Sequence, residues 1–351
     1  MRIYSPNFYF DELTSENERG AYYSISAAAQ NRGQCTVFHG DIEATMRAWH
    51  AYVLDTPGTF YYPGLFARFT SDGHSTSVDM KYSECDEALC REKMNEVIRL
   101  IERKCPLGTS AYKTAKTIYE YLSKNVKYDF DVFEEYIAVA SMPENTEADR
   151  ERKQQREIEM LRDNSNAFTA VGVFVDKKAV CMGLSKAYKL LCEEFGIPCI
   201  CVEARSKDDN GCEHMLNIIE IDGVCSFVDT TKGIFHEDLT MYNYDMFLAT
   251  TRTAELFYTF EREFDCNDES QSYHSKRNIV FKNLNDLRSY LLGFDTRAQK
   301  YVLRFRYKGT LLDDGELWKW ARDIISSALP RGASLSGNVD HGFFNGMVIK
   351  N

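Results

Sequence analysis

The 351 residues are 44% hydrophobic, 13% aromatic and 27% charged, core material for about two to three ordinary globular domains. Only 7 prolines and 20 glycines exclude a collagen-like or largely disordered chain. With 42 basic against 53 acidic residues, the net charge of −11 gives no overall attraction to phosphate backbones, and no nucleic-acid partner is expected.

Residues 1–34 read as polar and irregular. Cys35 to Phe38 follows as a short strand. Asp41 caps a helix whose apolar positions include Ile42, Met46, Trp49 and Val53, and Asp55-Thr56-Pro57-Gly58 stops it. Strands are predicted at 60–62, 65–69 and 76–82. A helix over 86–104 carries Met94, Val97, Ile98 and Ile101 at helical spacing. Cys105-Pro106-Leu107-Gly108 is a break, and the first domain boundary is placed there.

The next block opens with a helix over 111–126, with Ala115, Ile118, Tyr119 and Leu122 on one face. Residues 138–165, densely charged from Arg150 to Arg162, predict an exposed helix between loops, either an insertion or a lid. Ala179-Val180-Cys181 leads into a helix with Leu184, Ala187, Leu190, Leu191 and Phe195 on its apolar face; Gly196 and Pro198 end it. A strand follows at 200–204. Strands at 215–221 and 224–228, joined by Asp222-Gly223, read as a hairpin. Beyond about 255 a third block holds a strand at 278–281, a helix at 284–292, a strand at 301–307, a helix at 315–328 and a terminal hairpin around Asp340-His341-Gly342. The reading is therefore an N-terminal α/β domain (1–108), a middle core (109–255) and a C-terminal α/β domain (256–351).

No stretch approaches 18 consecutive apolar residues, so no membrane span is expected. The first residues lack the apolar region of a signal peptide, which points to a cytoplasmic protein. Eleven cysteines include no Cys-x2-Cys pair, so the strong zinc spacing is absent and most thiols should be reduced and buried. Cys212-Glu213-His214 lacks a second ligand pair, the 206–217 segment fails the calcium-loop pattern, and there is no phosphate loop or dinucleotide fingerprint. No metal and no cofactor are expected. Nothing in the sequence signals an oligomeric state.

Three residues carry the chemistry. Cys181 sits at the start of its helix, where unpaired N–H groups and the helix dipole favour a thiolate. If Asp222-Gly223 is a two-residue turn, Ile221 faces Val224 and Asp229 lies opposite Leu216. His214 shares that face because strand side chains alternate, so His214 and Asp229 are diagonal neighbours. A Cys at a helix start with a His and an Asp on a nearby strand pair is the thiol form of the nucleophile–base–orienter triad.

These same residues resemble a known family. Val171 to Cys192, Gly196-Ile197-Pro198, His214-Met215-Leu216-Asn217, Ile221-Asp222-Gly223 and Val228-Asp229-Thr230 are similar to the core of the transglutaminase-like superfamily, over roughly 110–250. The resemblance implies an α+β, papain-like core, with the Cys-bearing helix packed on an antiparallel sheet. It also implies a catalytic triad of Cys181, His214 and Asp229. The chain departs from the family pattern at Leu216, where a Trp is common, and at Asp229-Thr230-Thr231-Lys232, where Asp-Pro-Thr-Trp is common. Those differences bear on the shape of the substrate pocket. The expected function is thiol-dependent amide hydrolysis or acyl transfer on a protein or peptide substrate through a thioester, as peptidase, amidase or cross-linker. The competing expectation is a non-catalytic interaction protein that keeps the fold.

Overall fold

The computed structural model describes residues 7–31, 33–38, 41–56, 67–80, 86–208, 211–233, 242–293, 300–329 and 333–350. The strand expected at 60–62, and the outer parts of those expected at 65–69 and 76–82, lie outside them.

Much of 8–30 is helical, not irregular: α1 spans Phe8–Glu12 and α2 spans Glu16–Gln30. The local cause is a capping box. The Ser15 side chain accepts from the Glu18 N–H, and the Glu18 carboxylate accepts from the Ser15 N–H. Ala21, Tyr22, Ile25 and Ala29 then bury one helical stripe. Strand β1 (Cys35–Phe38) and helix α3 (Ile42–Asp55) follow, with the Asp41 side chain accepting from the Ala44 N–H as its cap. Strands β2 (Ala67–Ser71) and β3 (Ser75–Met80) complete a sheet of order β1-β3-β2. These elements share a core of their own, including Ala21, Ile25, Val37, Trp49, Tyr52 and Val78.

Helices α4 (Glu87–Lys104) and α5 (Ala111–Asn125) lie on either side of the Cys105–Gly108 break. A two-residue strand β4 (Lys127–Tyr128) leads to α6 (Phe130–Ala140) and the charged α7 (Glu147–Asp163). Only Met160 and Leu161 of α7 are buried, so its charged length needs no paired burial. Helix α6 falls largely where the sequence predicts no element. It forms because the Asp129 side chain caps it, accepting from the Val132 N–H at 3.2 Å.

The middle of the chain builds β5 (Lys178–Ala179), α8 (Cys181–Glu194), β6 (Cys199–Ser206), β7 (Glu213–Ile221), β8 (Val224–Val228), α9 (Thr230–Gly233), β9 (Phe247–Ala249), α10 (Thr251–Phe257) and β10 (Tyr258–Thr259). Five strands make one antiparallel sheet of order β10-β6-β7-β8-β9. The β7–β8 register is the one Asp222-Gly223 imposes, with Ile221 opposite Val224 and Asn217 opposite Val228. Both turn residues have positive φ, 52° and 79°, which an Asp-Gly pair tolerates. Helix α8 packs on this sheet, so the fold is α+β with the Cys-bearing helix laid on antiparallel strands.

The C-terminal part contains α11 (Tyr273–Lys276), β11 (Val280–Phe281), α12 (Leu284–Leu292), β12 (Lys300–Tyr307), α13 (Asp314–Ala328), β13 (Ala333–Asp340) and β14 (Phe343–Lys350), with sheet order β11-β12-β14-β13. One buried cluster runs through α4, α5, α8, the central sheet, α12, α13 and β14. The segments on either side of 109 and of 255 therefore share apolar surface. Among the described residues, no helix is long and apolar enough to cross a membrane.

Candidate active site

Cys181 is the first residue of α8, and Val180 before it is extended. Strand β5 delivers it there. It pairs in parallel with β4, the Ala179 carbonyl accepts from the Asp129 N–H at 3.0 Å, and the Val180 N–H donates to the Ala167 carbonyl at 3.1 Å. The first-turn amides of an α-helix have no intrahelical acceptor, so the Cys181 end of α8 presents partial positive charge to the thiol. One turn on, the helix is fastened to the sheet. Ser185 Oγ donates to the Met215 carbonyl at 2.8 Å, and Asn217 Nδ2 donates to the carbonyls of Ser185 (3.0 Å) and Ile200 (3.2 Å). The Asn of the His214-Met215-Leu216-Asn217 segment thus holds the thiol-bearing helix at a set height above the histidine strand.

His214 is the second residue of β7, opposite Ala204 of β6. Asp229 follows β8, is fully buried, and is clamped on all sides. Its N–H donates to the Met246 carbonyl at 3.0 Å, and its Oδ1 accepts from the Thr231 N–H at 2.8 Å. Its Oδ2 accepts from His214 Nε2 at 3.1 Å and from the Tyr258 hydroxyl. The expected diagonal pair is therefore in contact. With Nε2 engaged, Nδ1 is the ring nitrogen left for other partners.

The electrostatics follow from burial against pairing. Burial would push the imidazolium of His214 down. The charges of Asp229 and Cys181 and hydrogen bonding to both outweigh it, and the pKa is raised from 6.5 to about 10. Burial pushes the Asp229 carboxyl up. The His214 charge and the bonds from His214, Tyr258 and the Thr231 N–H overcome this and hold it below its usual value.

Cys181 and His214 open on one cavity of about 640 Å³, within the range of small-molecule and side-chain pockets. Its walls come from distant parts of the chain: Tyr9 of α1, His50 of α3, Tyr136 of α6 and Glu157 of α7. Tyr9 also donates its hydroxyl to the Cys201 carbonyl, and His50 Nε2 lies 2.8 Å from Glu203, which joins the N-terminal helices to β6. Tyr136 donates to Glu213 at 2.8 Å, beside His214. Cys181 and Cys212 are half-buried, and the other described cysteines are buried. Among the described residues, no group of His, Cys, Asp and Glu is arranged to hold a metal ion.

Sequence reasoning missed Tyr258. Its ring lies flat on the His214 ring, with centroids 4.7 Å apart and planes 8° apart. It gets there because β10 pairs with the outer edge of β6, Tyr258 opposite Ser206. A two-residue strand leaves no periodic signal, so only the tertiary pairing reveals it.

No protein-family profile matches the sequence. No curated protein matches it either. Among solved structures, one described as a crystal structure of a TGase aligns with TM-score 0.34 and 11% identity, covering 74% of this chain and 60% of its own. A candidate cysteine protease from Cytophaga hutchinsonii aligns with TM-score 0.26 and 10% identity, covering 48% of this chain and 62% of its own. The chain thus spans about three fifths of each structure's length.

Proposed function

We propose that the chain is a transglutaminase-like thiol enzyme that cleaves or exchanges amide bonds, with Cys181 as nucleophile, His214 as proton carrier and Asp229 as its orienter. The observation that supports this is that His214, paired with the buried Asp229, opens on the same cavity as a cysteine at a helix start.

The reading assigns the steps as follows. The Cys181 sulfur attacks the amide carbonyl carbon, and the carbonyl π electrons move to oxygen. That oxyanion is met by the Cys181 N–H, an amide of the first helical turn. The C–N bond then breaks, the leaving nitrogen takes the proton from His214 Nδ1, and a thioester remains on Cys181. Water or a second amine gives a proton to the now neutral His214 and attacks the thioester, returning the thiolate and imidazolium. Water makes the protein a peptidase or amidase; an amine makes it a cross-linker. A protein or peptide amide is the substrate in either case.

Asp229 keeps Nε2 occupied, so Nδ1 remains the working nitrogen through both halves of the cycle. Its charge also stabilises the imidazolium that pairs with the thiolate.

The test is alkylation of the native protein with iodoacetamide at pH 6 and pH 8, followed by peptide mapping. Cys212 serves as an internal control of similar exposure. Cys181 should label first at both pH values, and His214→Ala should abolish its advantage at pH 6. If Cys181 labels no faster than Cys212, the non-catalytic reading replaces this one.

A further inference from the structure

The pair of His214 and Asp229 is not closed by its own two members. We infer that Tyr258 is a positioning residue for it, fixing the plane of the imidazole with its ring and sharing the working oxygen of Asp229 with its hydroxyl. The inference rests on the triad reading above.

Two separate contacts carry it. The first is the near-parallel stack, 4.7 Å between centroids and 8° between planes. A flat wall at that spacing lets the imidazole slide in its own plane but not tip. It also presents a π face to a ring that carries positive charge, an attraction that strengthens away from water. The second is the hydroxyl. Tyr258 Oη donates to Asp229 Oδ2, the same oxygen that accepts from His214, while Asp229 Oδ1 is held by the N–H of Thr231. With both oxygens occupied, the carboxylate has one orientation. The phenol also draws some of the negative charge of Oδ2 onto its own bond, so less acts on the imidazole.

Tyr258 is buried, and it arrives from β10 on the edge of β6, independently of the strands that carry His214 and Asp229. The other titratable and charged groups facing the three residues are Cys181 from α8, Tyr119 from α5, and Asp208 after β6, which pairs with Lys232 of α9 at 2.8 Å. Tyr258 is the one of these groups whose ring stacks on the imidazole.

Tyr258→Phe and Tyr258→Leu separate the two contributions. The Phe variant keeps the flat face and loses the hydroxyl. Asp229 then concentrates its charge on His214, and the His214 titration, followed by NMR of the ring, should move to higher pH than in the wild type. Iodoacetamide labelling of Cys181 at pH 6 should stay within about threefold, because the ring is still held flat while proton-transfer geometry is worth roughly 10²–10⁴-fold in all. The Leu variant loses the flat face and the hydroxyl, and labelling at pH 6 should fall at least about tenfold against Cys212 in the same molecule. Should the Leu variant fail to fold, the NMR titration of the Phe variant still decides the hydroxyl's role. A His214 titration unmoved or lowered in Tyr258→Phe overturns that part. Wild-type labelling with a wild-type pH profile in a folded Tyr258→Leu overturns the positioning role. If wild-type Cys181 itself is not selectively labelled, the triad reading fails instead, and the His214 titration remains a direct test of Tyr258.

Discussion

A Cβ added to Gly183 would stand 2.5 Å from the Ala167 carbonyl oxygen and 2.8 Å from that of Thr169. Both neighbours are backbone, so they cannot swing away as a flexible side chain would. Gly183 is two residues into α8, and the close approach it permits seats the helix start against the turn over Ser165–Phe168. Gly183→Ala should therefore lift the Cys181 end of α8. A cost of about 1–3 kcal/mol, the usual range for overpacking, is expected in urea denaturation. Cys181 labelling should slow in the same variant. Unchanged stability and labelling would mean that the turn moves freely.

Asn217 should matter for the relation between helix and sheet more than for either alone. Its Nδ2 donates to carbonyls on α8 and on β6 at once, and the residue is fully buried. Asn217→Leu fills similar space but leaves the Ser185 and Ile200 carbonyls one donor short. Buried groups stripped of a partner cost about 1–3 kcal/mol each. Asn217→Asp replaces the donor with an acceptor and should be worse. Chemical denaturation of the two variants checks the order; an Asp variant as stable as wild type would count against it.

The hairpin was readable because Asp222-Gly223 dictates a two-residue turn, and the turn dictates which side chains face one another. His214 and Asp229 could be placed together on that ground alone. Cys181 was readable because Gly196 and Pro198 end a helix whose apolar stripe begins just after it. The capping box at Ser15 and Glu18 is present in the sequence, but the polar composition around it hides the helix it starts. The walls of the cavity were not readable. Tyr9, His50 and Tyr136 reach it, and Tyr258 reaches the His214 ring, through contacts between elements far apart in the chain, and no local pattern encodes those.

The charged α7 offers a test of the segment over 138–165. Its cationic residues Arg150, Arg152 and Lys153 lie on a helix whose buried residues, Met160 and Leu161, are both near its far end. Brief trypsin treatment should cut within 147–156 before it cuts the β7–β8 hairpin. Early cuts near 109 or 255 would support the proposed three-part division, although one buried cluster spans all three parts. Since Glu157 faces the cavity, cleavage of α7 should also change how fast a bulky thiol electrophile reaches Cys181. Intact α7 with a hairpin cut first would be the contrary result.

The last prediction concerns pH. His214 has its pKa raised to about 10 in the folded chain, against an ordinary value of 6.5. A group raised on folding stabilises the fold in full below its unfolded pKa and loses that contribution as pH climbs to its folded one. The contribution of His214 should therefore be complete below about pH 6.5 and fade towards about pH 10. Asp229 runs the other way. Its pKa is lowered on folding, so its contribution is present above the ordinary 3.8 and lost as pH falls through the lowered value. His214→Gln removes the cation and leaves the buried carboxylate with Tyr258 and the Thr231 N–H. Breaking a buried ion pair from one side costs about 3–5 kcal/mol. The stability gap between wild type and His214→Gln should be widest near pH 6 and narrow by pH 10, because the wild-type ring itself is then losing its charge. Urea midpoints for both proteins at pH 6, 8 and 10 measure this gap directly. A gap that stays constant or widens with pH would show that His214 is neutral in the folded protein, and a neutral ring there offers no imidazolium to pair with a thiolate.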